Sequence, residues 1–189
     1  MAKLILVTGG ARSGKSDYAL SRAETLGGKH YFLATCPVVD SEMDERIARH
    51  RADRQGRGWL TIEEEIHIEP TIMSLEPDSV CLVDCLTLWV NNLMYVAEKS
   101  NQKFGEDAMG DRVTDFIRAA EIFKGTLICV SNEVGMGVVP DNVLGRRYRD
   151  LVGRTNRLIA AAADEVILVS CGLPICIKNE STNHPIIIQ

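Results

Sequence analysis

Short apolar runs recur along the chain and alternate with longer segments patterned for helices. The runs are Lys3–Thr8, His30–Thr35, Val80–Asp84, Thr126–Ser131 and Glu165–Ser170, with Pro174–Lys178 as a candidate edge strand. They are short and nearly continuous in apolar residues, the pattern of strands buried on both faces. Between them, Asp17–Leu26, Asp40–Arg54, Leu86–Ala97, Ala108–Phe123 and Asn142–Ala163 carry helical patterning. On the third of these, Leu86, Trp89, Val90, Leu93 and Met94 form a stripe that reads as core. Strands interleaved with helices predict an α/β fold: a mostly parallel sheet with helices on both faces. Gly56–Glu63 reads as a loop and a short extended piece. Glu63-Glu64-Glu65 reads as solvated charge and Lys99–Asp107 as an exposed loop. No repeat or low-complexity tract divides the chain, so residues 1–189 read as one domain.

The first apolar run leads straight into Gly9-Gly10-Ala11-Arg12-Ser13-Gly14-Lys15-Ser16, of the form G-x-x-x-x-G-K-[ST], and a helical segment follows. Strand, loop and helix together are the setting in which this motif cradles phosphates. Its glycines let the backbone curl so that N–H groups point at phosphate oxygens, and the helix adds the positive end of its dipole. In that reading Lys15 reaches the outer phosphates and the Ser16 hydroxyl holds Mg²⁺. The fold expected is therefore P-loop NTPase-like. Ligands of such sheets sit at the carboxyl ends of the strands, so the residues just after each strand are the ones to inspect. Val80–Asp84 ends on an acid there. Asp84 reads as the second Mg²⁺-organising carboxylate, or as a cap on the helix that follows. Asn132 to Pro140, with two glycines and a proline beside polar residues, suggests a shaped loop at the same edge.

Composition narrows the partners. The net charge of -5 provides no basic excess with which to bind nucleic acid in bulk. No apolar run approaches the ~20 residues of a membrane helix, and Leu4–Val7 is too short for a signal peptide. The six cysteines include no C-x-x-C pair. Cys81, Cys129 and Cys171 lie in or beside strand-like runs and read as reduced core thiols, which implies a cytoplasmic setting and no zinc site.

The segment from Asp40 to Arg54 admits two readings. As a helix it sets Met43, Ile47 and His50 along one face, with Arg46 and Arg54 each one turn from His50. A histidine among guanidinium groups can hold a polyphosphate. The same sequence also has acids in its first turns and arginines in its last, as the helix dipole alone would favour. Similarly, Arg146, Arg147, Arg149, Arg154 and Arg157 in the last helical segment are either a solvated face or part of a second phosphate site. His30, His67 and His184 read as structural or surface residues.

Several segments, in order, resemble the bifunctional adenosylcobinamide kinase/adenosylcobinamide-phosphate guanylyltransferase family of cobalamin biosynthesis. They are Val7 through Ser16; Glu42-Met43 through Arg46-Ile47 to His50-Arg51; Trp59 with Thr61 and Glu63; Asn132-Glu133-Val134-Gly135-Met136-Gly137; Arg149-Asp150 with Gly153-Arg154; and Ala162 through Val166. The resemblance runs from residue 4 to about 178. It departs at Arg54-Gln55, where the family has Arg-Pro, and at Arg157, where members often carry Gln. It implies two reactions. A nucleoside triphosphate, GTP or ATP, phosphorylates adenosylcobinamide; GMP is then transferred from GTP onto adenosylcobinamide phosphate, with release of pyrophosphate. It implies that His50 carries GMP as a phosphoramidate, that Thr35, Cys36, Pro37, Glu63 and Asp84 contact the nucleotide, and that Arg54 is a further, weaker contact. It also implies a homo-oligomer, with trimers among the family. The tail from Asn179 to Gln189 matches nothing in it and reads as disordered.

Two other readings use the same loop. A simple small-molecule kinase would need Lys15, Ser16 and Asp84 and leave His50 idle. A GTP-dependent switch is opposed by the lack of an Asn-Lys-x-Asp run to read guanine.

Overall fold

The computed structural model describes residues 3–37, 48, 51–52 and 54–179. Seven strands form one sheet: β1 (Lys3–Gly9), β2 (His30–Ala34), β3 (Trp59–Glu63), β4 (Val80–Asp84), β5 (Thr126–Asn132), β6 (Glu165–Ser170) and β7 (Leu173–Asn179). Their order is β3-β2-β4-β5-β1-β6-β7. The first six are mutually parallel and β7 runs antiparallel on β6. Five α-helices are described: α1 (Lys15–Glu24), α2 (Ile68–Met73), α3 (Leu86–Lys99), α4 (Glu106–Ile122) and α5 (Val143–Ala162).

The continuous apolar runs are explained by burial on both faces. Successive residues alternate between two cores: Leu4, Leu6, Cys81, Val83, Leu127 and Cys129 face one, and Ile5, Val7, Val80, Leu82, Ile128 and Val130 face the other. The first core is closed by α2, α3, α4 and α5, around Trp89, Phe116 and Met109. Ala19 and Ala23 of α1 cover the second. Small residues there let α1 lie close to the sheet and carry the phosphate loop down onto the strand ends. The expected helices on both faces are present, but distributed unequally among the described residues.

The strand and helix expectations hold, with three differences. Gly56–Glu63 is a turn followed by β3, a true parallel edge strand paired residue for residue with β2. Its outer position leaves Leu60, Thr61 and Glu63 exposed, so no buried-strand pattern marks it. α2 has only six residues, too few for a helical period, and holds Pro70 in its first turn, where a missing N–H costs nothing. Glu64 is not simply solvated: its carboxylate accepts from the Ile66 and His67 amides just before α2. Of the expected helix Asp40–Arg54, only residues 48, 51, 52 and 54 are described, all helical.

Asn142 caps α5 as expected, accepting from the Gly145 amide at 2.6 Å. Asp164 sets the register of β6 against β1: its carboxylate accepts from the Leu4 amide at 2.7 Å, and its own amide donates to the Leu4 carbonyl. Cys171 and Gly172 both have positive φ, the two-residue turn that suits a tight hairpin between β6 and β7.

That turn corrects one expectation. Cys81 and Cys129 are core thiols, but Cys171 is exposed at the hairpin tip. Burial pushes the Cys81 thiol up to about 12 and Cys129 well above its ordinary value. At pH 8 both therefore stay protonated and unreactive. Brief alkylation of the native protein should modify Cys171 and spare Cys81 and Cys129, and alkylation in guanidinium should reach them all. Peptide mapping by mass spectrometry reads this directly. Labelling of Cys81 at the rate of Cys171 would contradict the packing described.

Candidate active site

Because six strands are parallel, their carboxyl ends line one edge of the sheet. Along it, in spatial order, come Glu63 on β3, Thr35–Pro37 after β2, Asp84 on β4, Asn132 at the end of β5 with Glu133 just after it, the phosphate loop after β1, and Ser170 on β6. Gly9 pairs with Asn132 on one side and Val169 on the other. Asp84 pairs with Ala34 and Val130. Only β5 separates the acid strand from the phosphate strand.

The loop has the backbone its glycines permit. Gly14 has φ 88° and Arg12 φ 56°, both left-handed. A side chain on Gly9 would place its Cβ 2.4 Å from the Val169 carbonyl and 2.7 Å from Ser13 Oγ. The curl is gripped from both sides. The Glu133 amide donates to the Gly9 carbonyl at 3.0 Å, and the Gly172 amide, from the β6–β7 turn, donates to the Ser13 carbonyl at 2.9 Å. Within the curl the Ser13 amide donates to Gly10, and the Tyr18 amide donates to Gly14 as α1 begins. Lys15 Nζ lies 3.1 Å from the Gly10 carbonyl, folded back over the loop it would serve. Ser13 Oγ is buried without a hydrogen-bond partner among the described residues.

Thr35 is fully buried and ties β2 to β4. Its hydroxyl donates to the Cys85 carbonyl at 2.7 Å and accepts from the Cys85 amide at 2.8 Å. Its carbonyl accepts from Asn92 of α3, which also reaches Glu65. Cys36 and Pro37, half-buried, extend this corner. Asp84 is half-buried, and its side chain makes no hydrogen bond or ion pair among the described residues. Burial, reinforced by the adjacent Asp84 charge, raises the Cys85 thiol to about 11. Cys85 is thus a neutral wall of the site.

The β2–β3 side is occupied by arginines. Glu63 is exposed and ion-paired with Arg51. Arg54 is buried, its guanidinium carbon 3.4 Å from the centre of the Phe32 ring, and it reaches Thr61 at 3.5 Å. Phe32 pairs with Thr61 and Leu82, two residues short of the strand ends. Arg54 therefore braces the face of the sheet behind the edge. Arg51, Arg54, Trp59 and Thr61 contribute to the walls of an open recess there. His30 is structural as expected, held by the Ala23 carbonyl and the Trp59 ring. His50, Arg46, Met43, Ile47 and His184 lie outside the described residues.

Four of the α5 arginines have partners within the chain. Arg146 donates to the Pro140 and Asp141 carbonyls and Arg147 to Phe104, while Arg149 pairs with Asp150 and Arg154 with Glu106. Arg146 and Arg147 tether loops, Arg154 ties α5 to the start of α4, and Arg157 is exposed.

One cluster at the edge had no place among the expected site residues. Thr8 donates to Glu133 Oε1 at 2.5 Å, and Asn156 Nδ2 donates to the same oxygen at 3.1 Å and to the Asn132 carbonyl at 3.0 Å. Ser131 completes it by donating to Asn156 Oδ1 at 2.5 Å. The rule of inspecting residues just after each strand points at Glu133. Its partners on β1 and α5 are far away in sequence.

Comparison with known proteins agrees with this geometry. Residues 5–177 match the model of the CobU family, cobinamide kinase / cobinamide phosphate guanyltransferase. The bifunctional adenosylcobalamin biosynthesis protein CobU of Salmonella typhimurium is 40% identical over 185 residues, covering 93% of this chain and 99% of its own. The corresponding CobP of Pseudomonas aeruginosa is 38% identical over 176 residues, with 93% and 97% covered. Among solved structures, the ATP synthase subunit NeqB of Nanoarcheaum equitans superposes with a TM-score of 0.57 at 13% identity, over 89% of this chain and 46% of that one. The chain thus spans about half the length of that structure, and the likeness speaks for the fold alone. The family match takes in all seven strands and the phosphate loop between them, and the chain belongs to the cobinamide kinase / cobinamide phosphate guanyltransferase family.

Proposed function

We propose that this enzyme carries out both reactions of its family at its one phosphate loop, and that a single bound nucleoside triphosphate site serves each in turn. What carries the reading is the braced loop at the strand ends, beside Asp84, in a chain that matches the family over residues 5–177. In the kinase step the cobinamide hydroxyl attacks the γ-phosphate and a nucleoside diphosphate leaves. In the transfer step an imidazole nitrogen of His50 attacks the α-phosphate of GTP, and the bond to the β-phosphate breaks. Pyrophosphate leaves and GMP stays on the histidine. A phosphate oxygen of cobinamide phosphate then displaces the histidine, giving the GDP-linked product. A neutral imidazole suits this role, because it is nucleophilic near pH 7 and leaves readily from phosphorus once protonated.

The roles of the loop follow from its geometry. Its amides and the N-terminus of α1 would hold the departing phosphates. Lys15 can exchange its bond to the Gly10 carbonyl for a phosphate oxygen and take up the charge developing there. Ser16 and Asp84 are hard oxygen donors, and neither side chain makes a hydrogen bond or ion pair among the described residues. That donor set suits Mg²⁺, which keeps most of its coordination for water and phosphate. When bound, Mg²⁺ would neutralise phosphate charge and hold the triphosphate in line. Thr35, Cys36, Pro37 and Glu63 continue the same edge and are the proposed nucleotide contacts beyond the phosphates, with Arg54 supporting them from behind. No helix among the described residues is long and apolar enough to cross a membrane. We infer a cytoplasmic enzyme folded as one domain and assembled as a homo-oligomer, a trimer by resemblance to the family.

Two outcomes test this. Incubation with Mg²⁺ and GTP should add a GMP-sized, acid-labile mass to the protein, and His50→Asn should abolish it. Persistence of the adduct in His50→Asn would move the chemistry to another residue. Lys15→Ala should lower both the adduct yield and phosphorylation of adenosylcobinamide by about 10²-fold or more, the scale of losing one electrostatic stabiliser. Loss of the adduct alone, with kinase turnover intact, would mean two separate phosphate sites.

A further inference from the structure

The kinase reaction needs a group to accept the proton of the attacking hydroxyl. We propose that Glu133 is this general base, through its Oε2 oxygen. This rests on the reading that the phosphate loop holds the triphosphate. Three observations converge on it.

The first is position. β5 lies between β4, which ends on Asp84, and β1, which runs into the phosphate loop. Whatever follows β5 stands between the proposed metal carboxylate and the loop. A terminal phosphate held by both the loop and that carboxylate would lie on this side. Glu133 follows β5 directly, and its amide is hydrogen-bonded to Gly9, the first residue of the loop. Its Cα is thereby fixed to the loop itself.

The second is the way the carboxylate is held. Oε1 takes two donors, the Thr8 hydroxyl at 2.5 Å and the Asn156 amide at 3.1 Å. Asn156 is itself oriented by Ser131 and by the Asn132 carbonyl, both from β5. Three side chains, from β1, β5 and α5, together with the Asn132 carbonyl, thus lock one oxygen. Oε2 has no hydrogen-bond partner among the described residues, and Glu133 is half-exposed. An anchored carboxylate with one reachable oxygen has the form a general base requires: orientation determined by one atom, proton uptake by the other.

The third is the situation of the other acids at the edge. Asp84 is assigned to the cation, and Glu63 is paired with Arg51 two strands beyond Asp84. Asp17 is exposed on α1. Glu133 is the remaining described carboxylate on the loop's own flank.

In the step, the O–H bond of the cobinamide hydroxyl breaks and its proton passes to Glu133 Oε2. The oxygen forms a bond to the γ-phosphorus, and the bridging oxygen to the β-phosphate leaves with its electron pair. The proton is returned to water afterwards. The guanylyl transfer has no use for this group, because its nucleophiles are a neutral imidazole and an ionised phosphate.

Glu133→Gln tests this cleanly, since the amide oxygen can still accept from Thr8 and Asn156 while the basic oxygen is replaced by NH₂. Phosphorylation of adenosylcobinamide should fall in kcat by about 10²-fold or more. Formation of the GMP adduct with GTP, and its discharge onto adenosylcobinamide phosphate, should stay within about threefold. Glu133→Asp should recover part of the kinase rate. Thr8→Val removes a donor to the ionised carboxylate. With the carboxylate less firmly oriented, kinase kcat should fall while formation of the GMP adduct stays within about threefold. Unimpaired kinase turnover in Glu133→Gln would overturn the proposal. So would equal loss of both reactions with a lowered Tm, which would mark Glu133 as a structural clamp, or an unchanged kinase kcat in Thr8→Val. Loss of adduct in the wild type would instead count against the shared nucleotide site.

Discussion

The structure depends on holding a short loop of backbone, at the carboxyl ends of the strands, in a conformation that ordinary residues avoid. Curled backbone of this kind is not self-supporting, since its N–H groups repel one another until a phosphate arrives. Here the restraint comes from carbonyls. The Gly9 and Ser13 carbonyls are taken by amides from Glu133 and Gly172, on opposite flanks of the loop. The curl is thereby clamped by β5 on one side and the β6–β7 turn on the other. Gly9 must lack a side chain because it passes against the Val169 carbonyl. The antiparallel seventh strand, which adds little to the core, acquires a purpose: its turn presses Gly172 against the loop.

The two cores serve the same end in different ways. The thick one, beneath four helices, buries Trp89 and Phe116 with their rings 5.8 Å apart and gives the sheet its rigidity. The thin one, under α1, uses alanines so that the helix can lie low and present its N-terminus at the strand ends. Polar chains stitch the two layers where the sheet meets the site. Asn92 reaches from α3 to Thr35, and Asn156 reaches from α5 to Glu133. Each lies on the inner face of its helix and is almost fully buried. Each also satisfies carbonyl or carboxylate oxygens that would otherwise be desolvated without a partner. The strand-end edge is therefore set by the packing of α3 and α5 as much as by the strands.

Much of this was legible in the chain. The strands buried on both faces announced themselves because such burial demands unbroken apolar runs, and the phosphate loop because its geometry tolerates few residue types. The rule that ligands gather at strand ends pointed to Asp84, and the family resemblance to Thr35; both lie at that edge of the sheet. What escaped was weakly encoded. β3 is an edge strand with three exposed residues, and α2 is shorter than two turns. Cys171 looked like a core thiol by its neighbours in sequence but sits at a hairpin tip. Arg54 resembled a phosphate ligand by its spacing, yet its guanidinium lies on Phe32, a contact across the sheet that no spacing rule contains.

The sequence by itself determined the fold class, the phosphate loop and the family, because these rest on local patterns: alternation of runs, a glycine-rich motif, and ordered short segments. Tertiary structure decided strand order, and with it the neighbours of every strand end. Placing β5 between Asp84 and the loop, and bringing Thr8 and Asn156 onto one oxygen of Glu133, joins residues 125 and 23 positions apart in the chain. Linear patterns record which face a residue prefers. They do not record which distant residue will share that face, because that is settled only when the helices pack and each buried polar group must find a partner.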